Sequence, residues 1–185
     1  MKALSIVLTT LAALAVMGIL FIYSGLYNMG ADVHHWPLTY HVITTLRDRS
    51  IATHSQNIQV PALGDSTQVL KGAGQYAAMC VGCHLAPGIK DSEIRPGLYP
   101  MPPNLSQTRI DPKEAFWAIK HGIKMSAMPA WGSSHDDATI WSLVAFLQKL
   151  PALNASQYKA IGAKAPRDEK MDMPMNHQSN DDDGK

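Results

Sequence analysis

Hydrophobic residues along this chain predict one continuous apolar helix followed by several shorter amphipathic ones. Residues 3–23 are nearly all apolar or small, and Lys2 is the only charge before Asp32. As a helix, this stretch would be about 31 Å long, close to the roughly 30 Å hydrocarbon core of a bilayer. A cleaved signal peptide, the alternative, has an apolar region of only about 7–15 residues. The pattern therefore favours an uncleaved membrane anchor at residues 1–27, with Tyr23 and Tyr27 at the interface.

Residues 28–65 predict a short juxtamembrane helix and a linker. The helix is predicted from Pro37 to Ile51, since proline suits the first turn of a helix. Leu38, Val42, Leu46 and Arg49 fall near one stripe of it. The stripe fits a membrane surface, a partner subunit or a plain spacer, and the pattern leaves these open. The residues from Ile51 to Ser66 lack periodicity and are interpreted as the linker.

Residues 66–152 predict the main helical domain. A helix is expected to begin at Asp65 and Ser66, and its apolar face carries Val69, Gly72, Tyr76 and Met79 at spacings of three and four. A long loop rich in proline and glycine follows, at residues 85–110. Long loops of this kind are often functional.

Two further helices close this domain. Asp111 is a predicted N-cap before Pro112, and Gly122 is predicted to end that helix. An irregular segment at residues 124–132 leads to a strongly apolar helix that Pro151 stops. From residue 153 to 185 the pattern fades, so we expect a polar, disordered tail. Its methionines and His177 would suit Cu(I), although scattered methionines usually bind nothing.

The net charge of the chain argues against one class of partner. The net charge is +1 and the pI is about 7.8, values that give no sign of a nucleic-acid partner. No internal repeat of 20–50 residues is visible.

The chain has only two cysteines, and they stand in the string Cys80-Val81-Gly82-Cys83-His84. This spacing is typical of a covalent c-type haem attachment site. Each thiol adds to one vinyl group, and the adjacent histidine can then reach the iron. A zinc site needs three or four protein ligands, and no second cysteine pair exists. A redox dithiol expects a βαβ context, which the helical pattern does not provide.

Residues 68–150 resemble the class I c-type cytochromes, in a membrane-anchored bacterial form. Gly72, Tyr76 and Cys80, each four apart, are similar to the first helix of that family, and residues 143–147 are similar to its C-terminal helix. The resemblance implies an all-α cytochrome c fold around one covalent haem, preceded by a single N-terminal transmembrane helix. It also implies that Gly72 is where the two helices cross.

The same resemblance implies the ligand set. Pro103-Asn104-Leu105 is similar to the family's loop whose proline carbonyl accepts a hydrogen bond from Nδ1 of the axial histidine, here His84. Met128-Pro129-Ala130 is similar to the distal segment, which implies Met128 as the sixth iron ligand. Met125 is also a thioether, three residues away, and is the alternative. Cys80 and Cys83 would hold haem c covalently, one per chain.

An iron with histidine and methionine ligands has no open position, so the expected function is one-electron transfer rather than enzymatic catalysis. The expected partners are redox proteins, with the haem domain in the periplasm and the anchor in the bacterial inner membrane. The alternative is a cytochrome subunit fixed in a larger periplasmic dehydrogenase or terminal oxidase complex. A catalytic or gas-sensing haem would need an exchangeable ligand, and it predicts prompt CO binding.

Overall fold

The computed structural model describes residues 2–166 of the chain, and all regular structure in that range is helical. This confirms the all-α prediction. The described chain divides into two compact units, of which the first ends at Trp36 and the second begins at Pro37.

The first unit consists of helix α1, Lys2–Tyr23, and the segment that follows it. Helix α1 has 22 residues, none of them buried. Within residues 2–166 it is the one helix whose length and hydropathy suit a membrane span, and a signal sequence would satisfy the same criteria. Trp36 lies 6.2 Å from the ring of Phe21 and 5.0 Å from that of Tyr27. These aromatic rings cluster at the end of the apolar helix, as side chains at a membrane interface do.

Six helices make up the described part of the second unit. They are α2, Pro37–Ser55; α3, Ser66–Met79; α4, Val81–His84; α5, Pro112–His121; α6, Asp137–Leu147; and α7, Ala155–Lys164. Short 3₁₀ turns occur at Arg95–Gly97, Trp131–Ser133 and Leu150–Ala152. The predicted helix after Pro37 is therefore present, and it runs four residues beyond Ile51.

Aspartates cap three of these helices, and the sequence predicts the caps at Asp65 and Asp111. The side chain of Asp65 accepts a hydrogen bond from the backbone N–H of Gln68 at the start of α3. Asp111 does the same for the first turn of α5, and Asp136 for that of α6. Each carboxylate satisfies a backbone donor that has no partner within the helix and also meets the positive end of the helix dipole.

The core forms where α3 crosses α6. Tyr76 on α3 and Phe146 on α6 are fully buried, with their ring centroids 5.4 Å apart. The predicted apolar face of α3 is confirmed, because Gly72 and Tyr76 are buried and Val69 and Met79 pack against the core. This crossing holds the last turn of α3, and therefore the start of the cysteine motif, in a fixed place.

Helix α2 packs against α5. The imidazole of His54 stacks on the ring of Trp117 at 5.6 Å. Trp117 therefore faces α2 rather than the central core. The stripe formed by Leu38, Val42 and Leu46 remains exposed, at 75%, 55% and 69%.

The predicted disordered tail is wrong for residues 155–164, which form α7. Asn154 and Gln157 cap this helix reciprocally, since each side chain bonds the backbone N–H of the other. Tyr158 packs on the core, and a side chain on Gly74 of α3 would meet the chain at Ala165. A weakly apolar sequence is helical here because α3 offers it a surface. The methionine-rich segment from 171 to 177 lies outside the described residues.

Candidate haem-binding site

The cysteine motif forms a tight helical turn directly after α3. The backbone N–H of Cys83 donates to the carbonyl of Cys80 at 3.1 Å, and that of His84 donates to the same carbonyl at 2.8 Å. Cys80, Cys83 and His84 therefore lie within one helical turn. This arrangement presents two thiols on one short element with an imidazole beside the second.

The environment of Cys80 argues against a redox dithiol. Burial, with a smaller contribution from the neighbouring Cys83, raises the pKa of the Cys80 thiol to about 12. A reactive or metal-binding cysteine needs the opposite shift, because the thiolate is the reactive form. Among residues 2–166 there is also no cluster of three or more metal-binding side chains of the zinc type. A buried Cys80 thiol that favours its neutral form fits thioether formation.

His84 is held from behind by the proline-rich loop. Its Nδ1 lies 3.0 Å from the carbonyl oxygen of Pro103. A carbonyl only accepts, so Nδ1 carries the proton, and the lone pair lies on Nε2. The backbone carbonyl of His84 in turn accepts from the N–H of Leu105 at 3.1 Å. The hydrogen bond that the resemblance implies between His84 and Pro103 is therefore present.

The protonation state of His84 suits an iron ligand. Burial lowers its pKa, the Pro103 bond opposes this, and the charge of Arg95 adds to the lowering. The neutral imidazole, which is the form that binds metals, is favoured at neutral pH.

Tyr76 ties the core to the turn after this histidine. Its hydroxyl donates to the carbonyl of Leu85 at 2.6 Å and lies 3.3 Å from that of His84. Leu85 has a φ of 59° and a ψ of −179°, a conformation found almost only in glycine that costs a residue with a side chain about 1–3 kcal/mol. The buried hydroxyl gives the carbonyl of this strained turn a partner.

The two candidate sulfur ligands occupy different environments. Met128 is half-buried and packs against the same core cluster as Cys80 and Met79. Met125 is 84% exposed and has a φ of 55°. The core therefore positions Met128 and leaves Met125 in solvent.

A compact hydrogen-bonded loop carries Met128. The hydroxyl of Ser126 donates to the carbonyl of Ile123 at 2.8 Å and accepts from the N–H of Met128 at 3.2 Å. The carbonyl of Met128 accepts from the N–H of Ile123 at 3.1 Å. Gly122, with a φ of 65°, lets this loop lie against the end of α5, since a Cβ there would come within 2.8 Å of Met128. Sequence reasoning identified Met128 but not Ser126.

A family model described as cytochrome c oxidase, cbb3-type, subunit III matches residues 67–147, which are fewer than half of the chain. The match supports a class I c-type cytochrome domain over these residues. Comparisons with curated proteins and with solved structures returned no match. The matched range begins at the second residue of α3 and ends at the last residue of α6, so it covers the crossing helices and both loops described above.

A cytochrome c domain implies haem c, and the residues present fit that group. Cys80 and Cys83 are free and half-buried in one helical turn. The imidazole of His84 has its Nε2 lone pair unused by the Pro103 bond, and the thioether of Met128 packs on the core. The domain therefore supports haem-based electron transfer.

Proposed function

We propose that this protein is a membrane-tethered mono-haem cytochrome c that transfers single electrons. Cys80 and Cys83 attach the haem, and His84 and Met128 are the axial ligands. The observation that carries the proposal is the bond from His84 Nδ1 to the Pro103 carbonyl, directly after the two thiols. That bond fixes the imidazole tautomer and raises its basicity, which are the properties of a permanent iron ligand.

Haem, when bound, supplies one-electron redox chemistry at its iron. The sulfur of Met128 favours the reduced state and raises the reduction potential relative to a second histidine. Tyr76, Leu105 and Phe146 form part of the buried core beside the motif and limit access of water. His84, at the end of α4, and Met128, on its hydrogen-bonded loop, would both hold the iron, so ligand rearrangement on electron transfer would be small and no position would remain for a substrate.

The first experiment tests the haem itself. The full chain is matured in a host that attaches haem c, and then extracted with acidified organic solvent. We expect the haem to stay with the protein, at one per chain. The reduced protein should also fail to bind CO promptly. Loss of the haem to the solvent would refute covalent attachment, and prompt CO binding would refute the two-ligand iron.

The tether is the second part of the proposal. Helix α1 would remain in the bacterial inner membrane, with the haem domain in the periplasm, where its redox partners would reach it. The support is the length and hydropathy of α1 and the aromatic cluster at its end. The mass of the protein extracted from membranes should include residues 1–27, and a mature chain lacking them would overturn the tether.

The alternative function is a cytochrome subunit fixed in a larger periplasmic dehydrogenase or terminal oxidase complex. Two observations favour it: the matched family model describes an oxidase subunit, and the exposed stripe of Leu38, Val42 and Leu46 is a surface that a partner subunit would cover. Purification in mild detergent distinguishes the two functions. A partner that co-purifies in a fixed ratio, and is lost when all three residues are replaced by serine, would establish the fixed subunit. A chain that purifies without any partner would establish the carrier.

A further inference from the structure

Arg95 is a cation placed behind the proximal histidine. It opens the 3₁₀ turn Arg95–Gly97, and its side chain is only 16% exposed. Its Nη2 donates to the carbonyl of Pro102 at 3.1 Å, one residue before the carbonyl that binds His84. Two adjacent carbonyls of one loop therefore hold the guanidinium and the imidazole.

The motif helix also fixes the position of Arg95. The hydroxyl of Ser92 donates to the carbonyl of Gly82, between the two cysteines, and accepts from the backbone N–H of Arg95 at 3.2 Å. The side chain of Arg95 is thus tied to the loop that holds His84, and its backbone is tied through Ser92 to the cysteine motif. A charge held in this way acts on the site from a constant position.

The positive charge of Arg95 is only partly compensated. Its acidic neighbour is Asp91, at 3.6 Å from Nη1 and 54% exposed, so solvent weakens that pair. The Nε atom is buried, and no residue in the described range accepts a hydrogen bond from it. A largely buried cation whose acidic partner is exposed to solvent leaves a positive potential at its neighbours.

We propose that Arg95 is a positioning residue that raises the reduction potential of the haem through its charge. This inference rests on the proposed function. Oxidation adds a positive charge at the iron, so a nearby fixed cation disfavours the oxidised state.

The sign of the effect separates this role from a purely structural one. If Arg95 served only to hold the loop, its loss would weaken the bond from His84 to Pro103. A weaker bond would make the imidazole less basic and raise the potential. Loss of the charge lowers the potential instead.

The experiment compares four variants of the full chain by potentiometric titration. Arg95→Gln removes the charge, and Arg95→Lys keeps it. Arg109→Gln removes an exposed arginine of the same loop and controls for net charge. Asp91→Asn removes the exposed carboxylate that partly compensates Arg95, while keeping an oxygen for the N–H of Ser92. Each variant is first checked for covalent haem and for the methionine–iron absorption band.

We expect Arg95→Gln to lower the reduced-to-oxidised ratio at a fixed ambient potential by at least threefold. At 59 mV per tenfold change for one electron, this is a fall of about 28 mV in the reduction potential. Arg95→Lys should recover most of that shift, and Asp91→Asn should shift the potential upward. The Arg95→Gln shift should persist in 1 M salt, where the Debye length is about 3 Å, while any Arg109→Gln shift disappears.

The proposal fails if Arg95→Gln and Arg109→Gln shift the reduction potential equally, or if Arg95→Gln raises it. It also fails if the potential of Arg95→Lys is as low as that of Arg95→Gln. Because Asp91 is exposed, Asp91→Asn tests the charge effect even if the Arg95 variants do not fold, and an unchanged or lowered potential there also overturns the proposal. If the variants keep their haem and the methionine–iron band, these outcomes refute the role of Arg95 and leave the proposed function standing. A native chain without that haem would remove the proposed function as well.

Discussion

Gly72 on α3 lies directly against the backbone carbonyl of Ser142 on α6. A Cβ at Gly72 would overlap that carbonyl oxygen and would lie 3.0 Å from the Cβ of Phe146. The two helices therefore touch through their backbones, and this contact sets how closely α3 and α6 approach each other in the core. The cysteine motif begins one residue after α3 ends, so the position of Cys80 depends on this crossing.

Replacing Gly72 with alanine should destabilise the domain. The added methyl group must push α3 and α6 apart, because the atom that it meets belongs to the backbone. We expect a loss of about 1–3 kcal/mol in the free energy of unfolding, the usual cost of overpacking. Denaturant unfolding of the haem-loaded protein measures it.

Gly162→Ala in α7 is the matched control. Gly162 is exposed, and a Cβ there meets nothing within 4 Å. The same substitution should therefore stabilise α7 by about 0.5–1 kcal/mol through helix propensity. Equal effects at positions 72 and 162 would mean that the helix crossing does not depend on glycine.

Met128→Ala should remove the sulfur that we propose as the sixth iron ligand. We expect the methionine–iron band in the near infrared to disappear and the reduction potential to fall. Met125→Ala should leave both unchanged, because the Met125 side chain is in solvent while Met128 packs on the core. Loss of the band with Met125→Ala alone would identify Met125 as the ligand.

Ser126→Ala should weaken the hold on Met128 without removing it. The variant loses the hydroxyl that bridges the Ile123 carbonyl and the Met128 N–H. At about 1 kcal/mol for such a hydrogen bond, added imidazole should displace the methionine at roughly fivefold lower concentration. Ser133→Ala, which removes a hydroxyl bonded to Ala130 instead, is the control. Equal imidazole titrations for the two variants would contradict a specific role for Ser126.

The helices around the haem site could be predicted from sequence because their signals are local. Asp65, Asp111 and Asp136 each bond the first turn of the helix that follows, and the spacing of Gly72 and Tyr76 identifies the buried face of α3. Cys80, Cys83 and His84 are adjacent in the chain, so their spacing alone predicts that they share one turn.

The rest depends on contacts between distant parts of the chain. Helix α7 was missed because its stability comes from packing against α3, which a weakly apolar sequence does not reveal. The sequence does not show whether Trp117 faces the core or His54, because that choice depends on the packing of α2 against α5. The sequence of the proline-rich loop does not distinguish Arg95 from its charged neighbours, because its contacts with Pro102 and Ser92 exist only in the folded loop.

Tyr76 should make the stability of the domain depend on alkaline pH. Burial, with smaller contributions from Cys80 and Tyr158, raises the pKa of Tyr76 well above its usual value of about 10. Above pH 10 the tyrosine ionises in the unfolded chain but stays protonated in the folded one. The unfolded state then binds fewer protons, so the free energy of unfolding falls as the pH rises. The contribution of Tyr76 is complete below pH 10 and decreases above it.

Tyr76→Phe separates this effect from the general alkaline loss of stability. At pH 7 the variant should be less stable by about 1 kcal/mol, because the Leu85 carbonyl loses its partner. Between pH 10 and 11 its unfolding free energy should fall less steeply than that of the native protein, by up to about 1.4 kcal/mol per pH unit. Tyr40→Phe, which removes the hydroxyl of an exposed tyrosine, is the matched control. Parallel curves for the native protein and Tyr76→Phe would show that the Tyr76 hydroxyl titrates alike in the folded and unfolded chain.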